Sequence, residues 1–270
     1  MALSYSQLQR YRTCPRQYEF SNVKKIPWGI SEGESFGASV HNALKKWGEL
    51  EAKGAGVGLG NKKKGEARED QMILFEGEAR PLPQSELTED KIVALWHECF
   101  IVDTYATRLE ADFARKRGEG LMRQFFQWWV QSPRSVLAVE KAFRLEIDGL
   151  TLTGRLDRVE KAEGGVRIID YKTTEPRSQE EADADVQLSV YALASRELFE
   201  EPCTELLFLF LSEEGIVERT TTRSASQLRD AQSQIRMIHE RLEAKDFKPT
   251  PSARVCRRCP YRGICDVAAA

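Results

Sequence analysis

The feature that most restricts how this chain can fold is a set of cysteines separated by nearly its whole length. Cys256, Cys259 and Cys265 fall within "CRRCPYRGIC", a C-x-x-C-x-x-x-x-x-C cluster, in a chain of 270 residues with six cysteines. Three thiols are one short of a four-ligand site. Cys99 and Cys203 lie in the apolar contexts "WHECFIV" and "EEPCTELLF", where a free cysteine serves as a small core residue. Cys14, in "RTCPRQYEF", is the remaining candidate. A site built from Cys14, Cys256, Cys259 and Cys265 would join the first helix to the tail. Four thiolates can hold either a tetrahedral Zn²⁺ or an iron–sulfur cluster, and spacing alone does not separate the two. Six cysteines are too few for a disulfide scaffold at this length, and in a reducing compartment clustered ones point to metal.

The rest of the chain is that of a globular protein, with 41% hydrophobic and 30% charged residues. No apolar run is long enough to cross a bilayer, so no membrane partner is expected. The start "MALSYSQLQRYR" lacks an apolar signal core, which places the expected location in the cytoplasm. A net charge of -2, from 40 basic and 42 acidic side chains, argues against a sequence-blind nucleic-acid coat. It leaves room for a local basic groove on a DNA enzyme.

The periodicity predicts one domain with a helical N-terminal part (1–134), a core of strands (135–223), and a C-terminal helix with the cysteine tail (224–270). Ser4 followed by Gln7 is a capping-box spacing, and Pro15 ends or bends the helix that it opens. Val40, Ala43, Leu44 and Trp47 lie on one face of a second helix. Residues 54–90, rich in Gly, Lys and Glu without a sustained period, read as a flexible insertion. Helical patterns resume over 91–132. Strands follow: "SVLAVEKAFRLEI" up to the type I′ hairpin signal Asp148-Gly149, "LTLTGRLDRVEKA" up to a turn at Gly164-Gly165, and "VRIIDYKTT". Next come a helix in "ADADVQLSVYALASRELF", a hairpin of "TELLFLFLS" with "GIVERTTT", and a long helix capped by Ser224 or Ser226.

Glu140, Asp157, Asp170 and Lys172 fall on the three consecutive strands. Asp170 and Lys172 are two apart and therefore share a face. With Ile168, Ile169, Leu152 and Leu156 beside them, these charges lie in a core and need a partner or a cation. Carboxylates suit Mg²⁺, and two acids with a lysine can hold a metal, orient a water and offset charge on a phosphate. Cross-strand ion pairs would use the same residues. Gln187 and Tyr191, four apart, share a face of the next helix. His41, on a largely apolar helix, is either a satisfied core residue or a ligand. Glu140 is either an acid of the site or a solvated strand residue.

The order H…E…G-x-x-D…D-x-K…Q-x-x-x-Y, in its strand-strand-strand-helix context, resembles the PD-(D/E)xK nuclease superfamily. It is most similar to the RecB-like exonuclease domains and the CRISPR-associated adaptation nucleases that carry an iron–sulfur cluster. The resemblance runs from "LSYSQLQRYRTCPRQYEF" to "CRRCPYRGIC", except for the 54–90 insertion. It implies an α/β fold of mixed α+β character, a restriction-endonuclease-like core with a central mixed sheet flanked by helices. It further implies His41, Asp157, Asp170 and the Tyr171 backbone carbonyl as ligands of Mg²⁺ or Mn²⁺, with Glu140 an additional acidic ligand or a group behind the ligands. Lys172 would position or activate the attacking water, and Gln187 and Tyr191 would contact DNA or brace the site. The second acid is Asp rather than Glu, a choice the RecB-like branch also makes. The four cysteines would hold a [4Fe-4S] cluster closing the chain around the core, with Zn²⁺ as the alternative.

The implied activity is metal-dependent hydrolysis of DNA, as an exonuclease on single strands or duplex ends, in repair, recombination or CRISPR adaptation. The sequence has no P-loop, so a helicase would be a partner, as would CRISPR adaptation proteins. Gln71, Leu74 and Phe75 form a Q-x-x-L-F peptide of the kind that docks on the bacterial sliding clamp. Two rival readings remain at this point: a non-catalytic nucleic-acid-binding module with a structural zinc or iron–sulfur site, and a redox sensor acting through the cluster.

Overall fold

A computed structural model of the protein describes residues 2–54, 87–131 and 135–269. The bulk of the 54–90 insertion, including Gln71, Leu74 and Phe75, lies outside the described residues. Its far end is helical rather than irregular, because Thr88 caps a helix that starts at Glu89.

Strand β1 (Ala2–Ser4) leads into α1 (Tyr5–Thr13). Ser4 caps α1 reciprocally: its hydroxyl accepts the Gln7 N–H, and Gln7 Oε1 accepts the Ser4 N–H at 2.8 Å. Cys14 ends α1 in an extended conformation, and Pro15 opens α2 (Pro15–Tyr18) at a position where its missing N–H costs nothing. A short π-helical turn over Glu19–Val23 follows, and then α3 (Glu32–Gly54). The helical stretch expected over 91–132 is two helices, α4 (Glu89–Cys99) and α5 (Arg108–Gln131). Phe100 is extended, and Thr107 with Glu110 forms a new capping box (Thr107 N–H to Glu110 Oε2, 2.8 Å), a T-x-x-E signal that interrupts the pattern.

The sheet comprises β1, β2 (Val136–Ile147), β3 (Leu150–Ala162), β4 (Gly165–Lys172), β5 (Cys203–Ser212) and β6 (Gly215–Thr221). Strands β2, β3 and β4 are successive antiparallel neighbours. Asp148 and Gly149 both have positive φ (47° and 83°), as a type I′ turn requires. The second turn is Glu163-Gly164 rather than Gly164-Gly165. Gly165 already pairs with Ala162, and a Cβ there would lie 2.0 Å from the Pro202 carbonyl oxygen. From β4 the chain crosses through α6 (Gln179–Asp183) and α7 (Val186–Leu198) to β5, which lies parallel to β4. The β5 run "LLFLFL" is buried on both faces, as a central strand requires. Helix α8 (Ala225–Glu243), capped by Ser224, and the short α9 (Ala253–Arg257) complete the chain.

Strand alternation then builds two apolar layers. Val40, Leu44 and Trp47 of α3, with Trp96 and Phe125, cover the face that carries Ile169, Tyr171 and Leu209. Leu8, Tyr11, Leu188 and Ile235 cover the opposite face, with Ile168, Phe208 and Phe210.

Candidate active site

The site arises from how the edge of β3 is shared. Along one edge β3 pairs with β2. Its other edge is divided: β1 takes Thr151–Thr153 and β4 takes Arg158–Ala162. Residues 154–157 lie between these two partners, and Asp157 fills the opening. Its Oδ2 accepts the Tyr171 N–H at 3.0 Å, substituting a carboxylate for the missing strand carbonyl. The β3–β4 register extended by one pair puts Asp157 opposite Asp170.

Two groups converge on Asp157. His41, near the middle of α3, brings Nδ1 to 3.4 Å from Asp157 Oδ2. Glu140 on β2 stands opposite Asp157, since Val139 pairs with Arg158 and Lys141 with Leu156. Among the described residues, His41, Glu140 and Asp157 form a set whose ligand atoms all lie within 4.8 Å of one another. Oxygen or nitrogen ligands around one Mg²⁺ or Mn²⁺ sit about 3 to 4.2 Å apart, so small rotations would close this set on an ion. Glu140 reaches the site at a backbone cost, with φ at 49° in the left-handed region that side chains disfavour. Burial and the Asp157 charge push its carboxyl pKa up. Burial pulls the His41 pKa down, but its hydrogen bond to Asp157 and the nearby acids outweigh this and raise it.

Asp170, 2% exposed, stands beside this trio with its own set of contacts. Oδ1 accepts from Gln187 Nε2 at 2.8 Å and from the Tyr191 hydroxyl at 2.9 Å. Oδ2 lies 2.5 Å from Lys172 Nζ, an ion contact rather than a well-aligned hydrogen bond. Gln187 Oε1 accepts from Lys172 Nζ at 3.0 Å, so one amide holds both ends of the D-x-K pair. The cap of α7 sets that amide in place: Asp185 Oδ1 accepts the Gln187 N–H at 2.6 Å, and Arg177 pairs with Asp185 at 2.5 Å. Burial raises the Asp170 carboxyl pKa, while Lys172 works against this and Asp157 adds to it.

The structure therefore gathers His41, Glu140, Asp157, Asp170, Lys172, Gln187 and Tyr191 at one place. It differs from the sequence expectation in grouping: Glu140 joins His41 and Asp157 directly, while Asp170 is turned toward Lys172, Gln187 and Tyr191. The sequence reading passed over Arg155, whose Nη1 lies 3.5 Å from Glu140 Oε2. It also passed over Arg158, which follows Asp157 on β3 and points to the other face. There Arg158 is 1% exposed and holds Glu51 of α3 through both Nη atoms and Glu160 through Nε at 2.6 Å. The alternation in "DRVE" carried that signal, because two charges flanking a buried valine in a covered strand must both be paired.

At the far end of α1, Cys14, Cys256, Cys259 and Cys265 line a single cavity, with Phe20, Pro249 and Val255. Burial raises the Cys259 thiol pKa, and the three other cysteines add to the rise.

A family model described as the PD-(D/E)XK nuclease superfamily matches residues 2–266. Two proteins called Gene 69 protein, from Mycobacterium phages D29 and L5, are each 25% identical to the chain across 98% of it and 96% of their own lengths. A Eubacterium rectale protein crystallised as a candidate exonuclease aligns over 100% of this chain and 91% of its own, with 10% identity and a TM-score of 0.48.

Proposed function

We propose that this chain, which belongs to the PD-(D/E)XK nuclease superfamily, is a metal-dependent exonuclease that hydrolyses phosphodiester bonds in DNA. One observation carries the reading: a three-ligand set within 4.8 Å lies beside a braced Asp170–Lys172 pair. Three carboxylates against Lys172 and the exposed Arg155 still leave an excess of negative charge that a divalent cation would balance. His41, Glu140, Asp157 and Asp170 would hold the ion, with the Tyr171 carbonyl as a further donor. One imidazole among carboxylates favours Mn²⁺ over Mg²⁺. When bound, the ion supplies charge stabilisation to the phosphate and lowers the pKa of water.

The protein's own groups do the rest. Gln187 and Tyr191 hold Asp170 by hydrogen bonds, which suits bracing better than contact with DNA. Lys172, steadied by Asp170 and Gln187, presents an ammonium that orients the attacking water and offsets charge on the phosphate. The Asp157 carboxylate, pinned by the Tyr171 N–H, keeps β3 and β4 in register at the reacting centre.

The four-cysteine cavity is the seat we assign to an iron–sulfur cluster. All four thiols line one cavity, and one N-terminal with three C-terminal cysteines is the arrangement that the sequence resemblance ties to a [4Fe-4S] cluster, with Zn²⁺ as the alternative.

The test is cleavage of end-labelled single- and double-stranded DNA with Mn²⁺ by protein purified without oxygen. We expect a brown protein whose cleavage is absent in Asp170→Ala. Colourless protein that binds DNA without cutting it would return the chain to the class of binding modules.

A further inference from the structure

The charge of this chain is divided unevenly. Residues 1–31 hold five basic and one acidic side chain, and residues 248–270 hold the same numbers. These two segments therefore carry +8, whereas the whole chain is at -2 and the remaining residues hold -10. The fold brings the two segments together as one lobe. The Tyr261 hydroxyl donates to the Ile26 carbonyl at 2.9 Å, its ring packs edge-on against Phe20 and Trp28, and Thr250 donates to the Thr13 carbonyl at 3.2 Å. The exposed Arg254, Arg257, Arg258 and Arg262 form no ion pair among the described residues. A basic lobe on an otherwise acidic protein is the electrostatic footprint of a polyanion.

Aromatic exposure narrows the class of polyanion. Trp28 is 37% exposed. The Arg10 guanidinium lies 4.9 Å over its ring and is steadied by Asn22 Oδ1 at 3.1 Å. A partly open indole next to a fixed guanidinium offers flat surface to an unpaired base, which a duplex keeps hidden within its stack.

A polar track connects this lobe to the site. Tyr5, Gln9 and Arg12 lie on one face of α1. Gln9 Oε1 accepts from the Tyr5 hydroxyl at 3.5 Å and from Arg12 Nη1 at 3.3 Å. Tyr5 follows Ser4, which pairs with Thr153 of β3 next to the opening that Asp157 fills, so the track starts at the edge of the site. It ends about 10 Å further on, at the lobe.

We infer that the lobe formed by the two ends of the chain is a binding platform for single-stranded DNA: phosphates rest on its exposed arginines, a base stacks on Trp28, and the strand follows Tyr5, Gln9 and Arg12 to the site. The inference rests on the nuclease reading for its substrate, but not for its test.

That test uses the full chain with Asp170→Asn, in Ca²⁺, and fluorescein-labelled oligothymidylate or a blunt duplex of equal length, read by anisotropy. Adding Trp28→Ala weakens oligothymidylate binding about tenfold and leaves duplex binding unchanged. Trp28→Phe retains the parent's affinity, which separates stacking from support of the lobe. Arg254→Gln, Arg257→Gln and Arg258→Gln together reduce the salt slope of single-strand binding by about two. Parent-like single-strand binding by Trp28→Ala, loss in Trp28→Phe equal to that in Trp28→Ala, or an unchanged salt slope in the triple variant would each overturn the platform. If the chain without Asp170→Asn cuts no DNA while these binding effects appear, the nuclease reading falls and the platform stands. If it cuts DNA and the binding effects are missing, the platform alone falls.

Discussion

Asp157 and Arg158 are consecutive residues of β3, yet they serve two charged clusters of opposite character on the two faces of the sheet. On the Arg158 side the charges are closed off. Arg158, Glu51 and Glu160 are each under 10% exposed, and Glu51 also accepts the Trp129 Nε1–H at 2.5 Å. Burial works against the Arg158 charge, but Glu51, the Tyr171 hydroxyl and Glu160 more than offset it and raise its pKa well above the usual value. On the Asp157 side three carboxylates face Lys172 and the exposed Arg155, and burial pushes the Glu140 and Asp170 pKa values up. The first cluster ties α3 to β3, and the second is the one to which we assign a cation. A buried charge thus becomes structural or functional according to whether the fold itself completes its partners.

The contrast is sharpest in Asp170→Asn. Cleavage should fall by about a thousandfold or more, while the metal-free protein unfolds no more easily than the parent, because a disfavoured buried charge is gone. Mn²⁺ should raise the parent's thermal midpoint more than the variant's. A variant that unfolds early would make Asp170 a structural residue and erase the distinction between the clusters.

Arg158→Met attacks the other side. Two buried carboxylates lose their partner, and urea unfolding should register a loss of about 3–5 kcal/mol. Replacing Glu51 and Glu160 by leucine in the same chain should recover most of it. Loss of cleavage without loss of stability would move Arg158 into the active site.

Gln187→Ala tests the brace. Hydrogen bonds to charged groups such as Asp170 and Lys172 are worth about 1.5–3 kcal/mol, so single-turnover cleavage should slow about tenfold to a hundredfold with DNA affinity unchanged. Tyr191→Phe should do less. An affinity loss at intact rate would make these two residues DNA contacts.

The smallest effect is expected at Glu140, whose positive φ strains β2. Glu140→Gly should stabilise the metal-free protein by about 1 kcal/mol while shrinking the thermal shift caused by Mn²⁺. A destabilised Glu140→Gly would mean that the side chain supports β2 rather than a cation.

Local rules made much of the molecule legible beforehand. Ser4 with Gln7, and Ser224 with Gln227, cap their helices as S-x-x-Q spacing requires, and Asp148-Gly149 turns β2 into β3. These features depend on residues within a few positions of one another, which a linear reading can see. Alternation likewise put Asp170 and Lys172 on one face. The Thr107–Glu110 cap was equally local and escaped only because strong helical periodicity on both sides masked it.

Other features required the chain to close on itself. Composition showed balanced charge, but only docking of the two ends collected +8 into one lobe. Periodicity placed His41 on an apolar helix; packing of α3 on β2 and β3 put its imidazole 3.4 Å from Asp157. Nothing local distinguished the role of Asp157 from that of Arg158, since each needed only a partner. The sequence by itself determined the elements, their caps and turns, and which residues could carry the chemistry. Tertiary structure decided which of those charges are neutralised and which are left in excess, because that depends on the partners that other elements bring within about 3 Å.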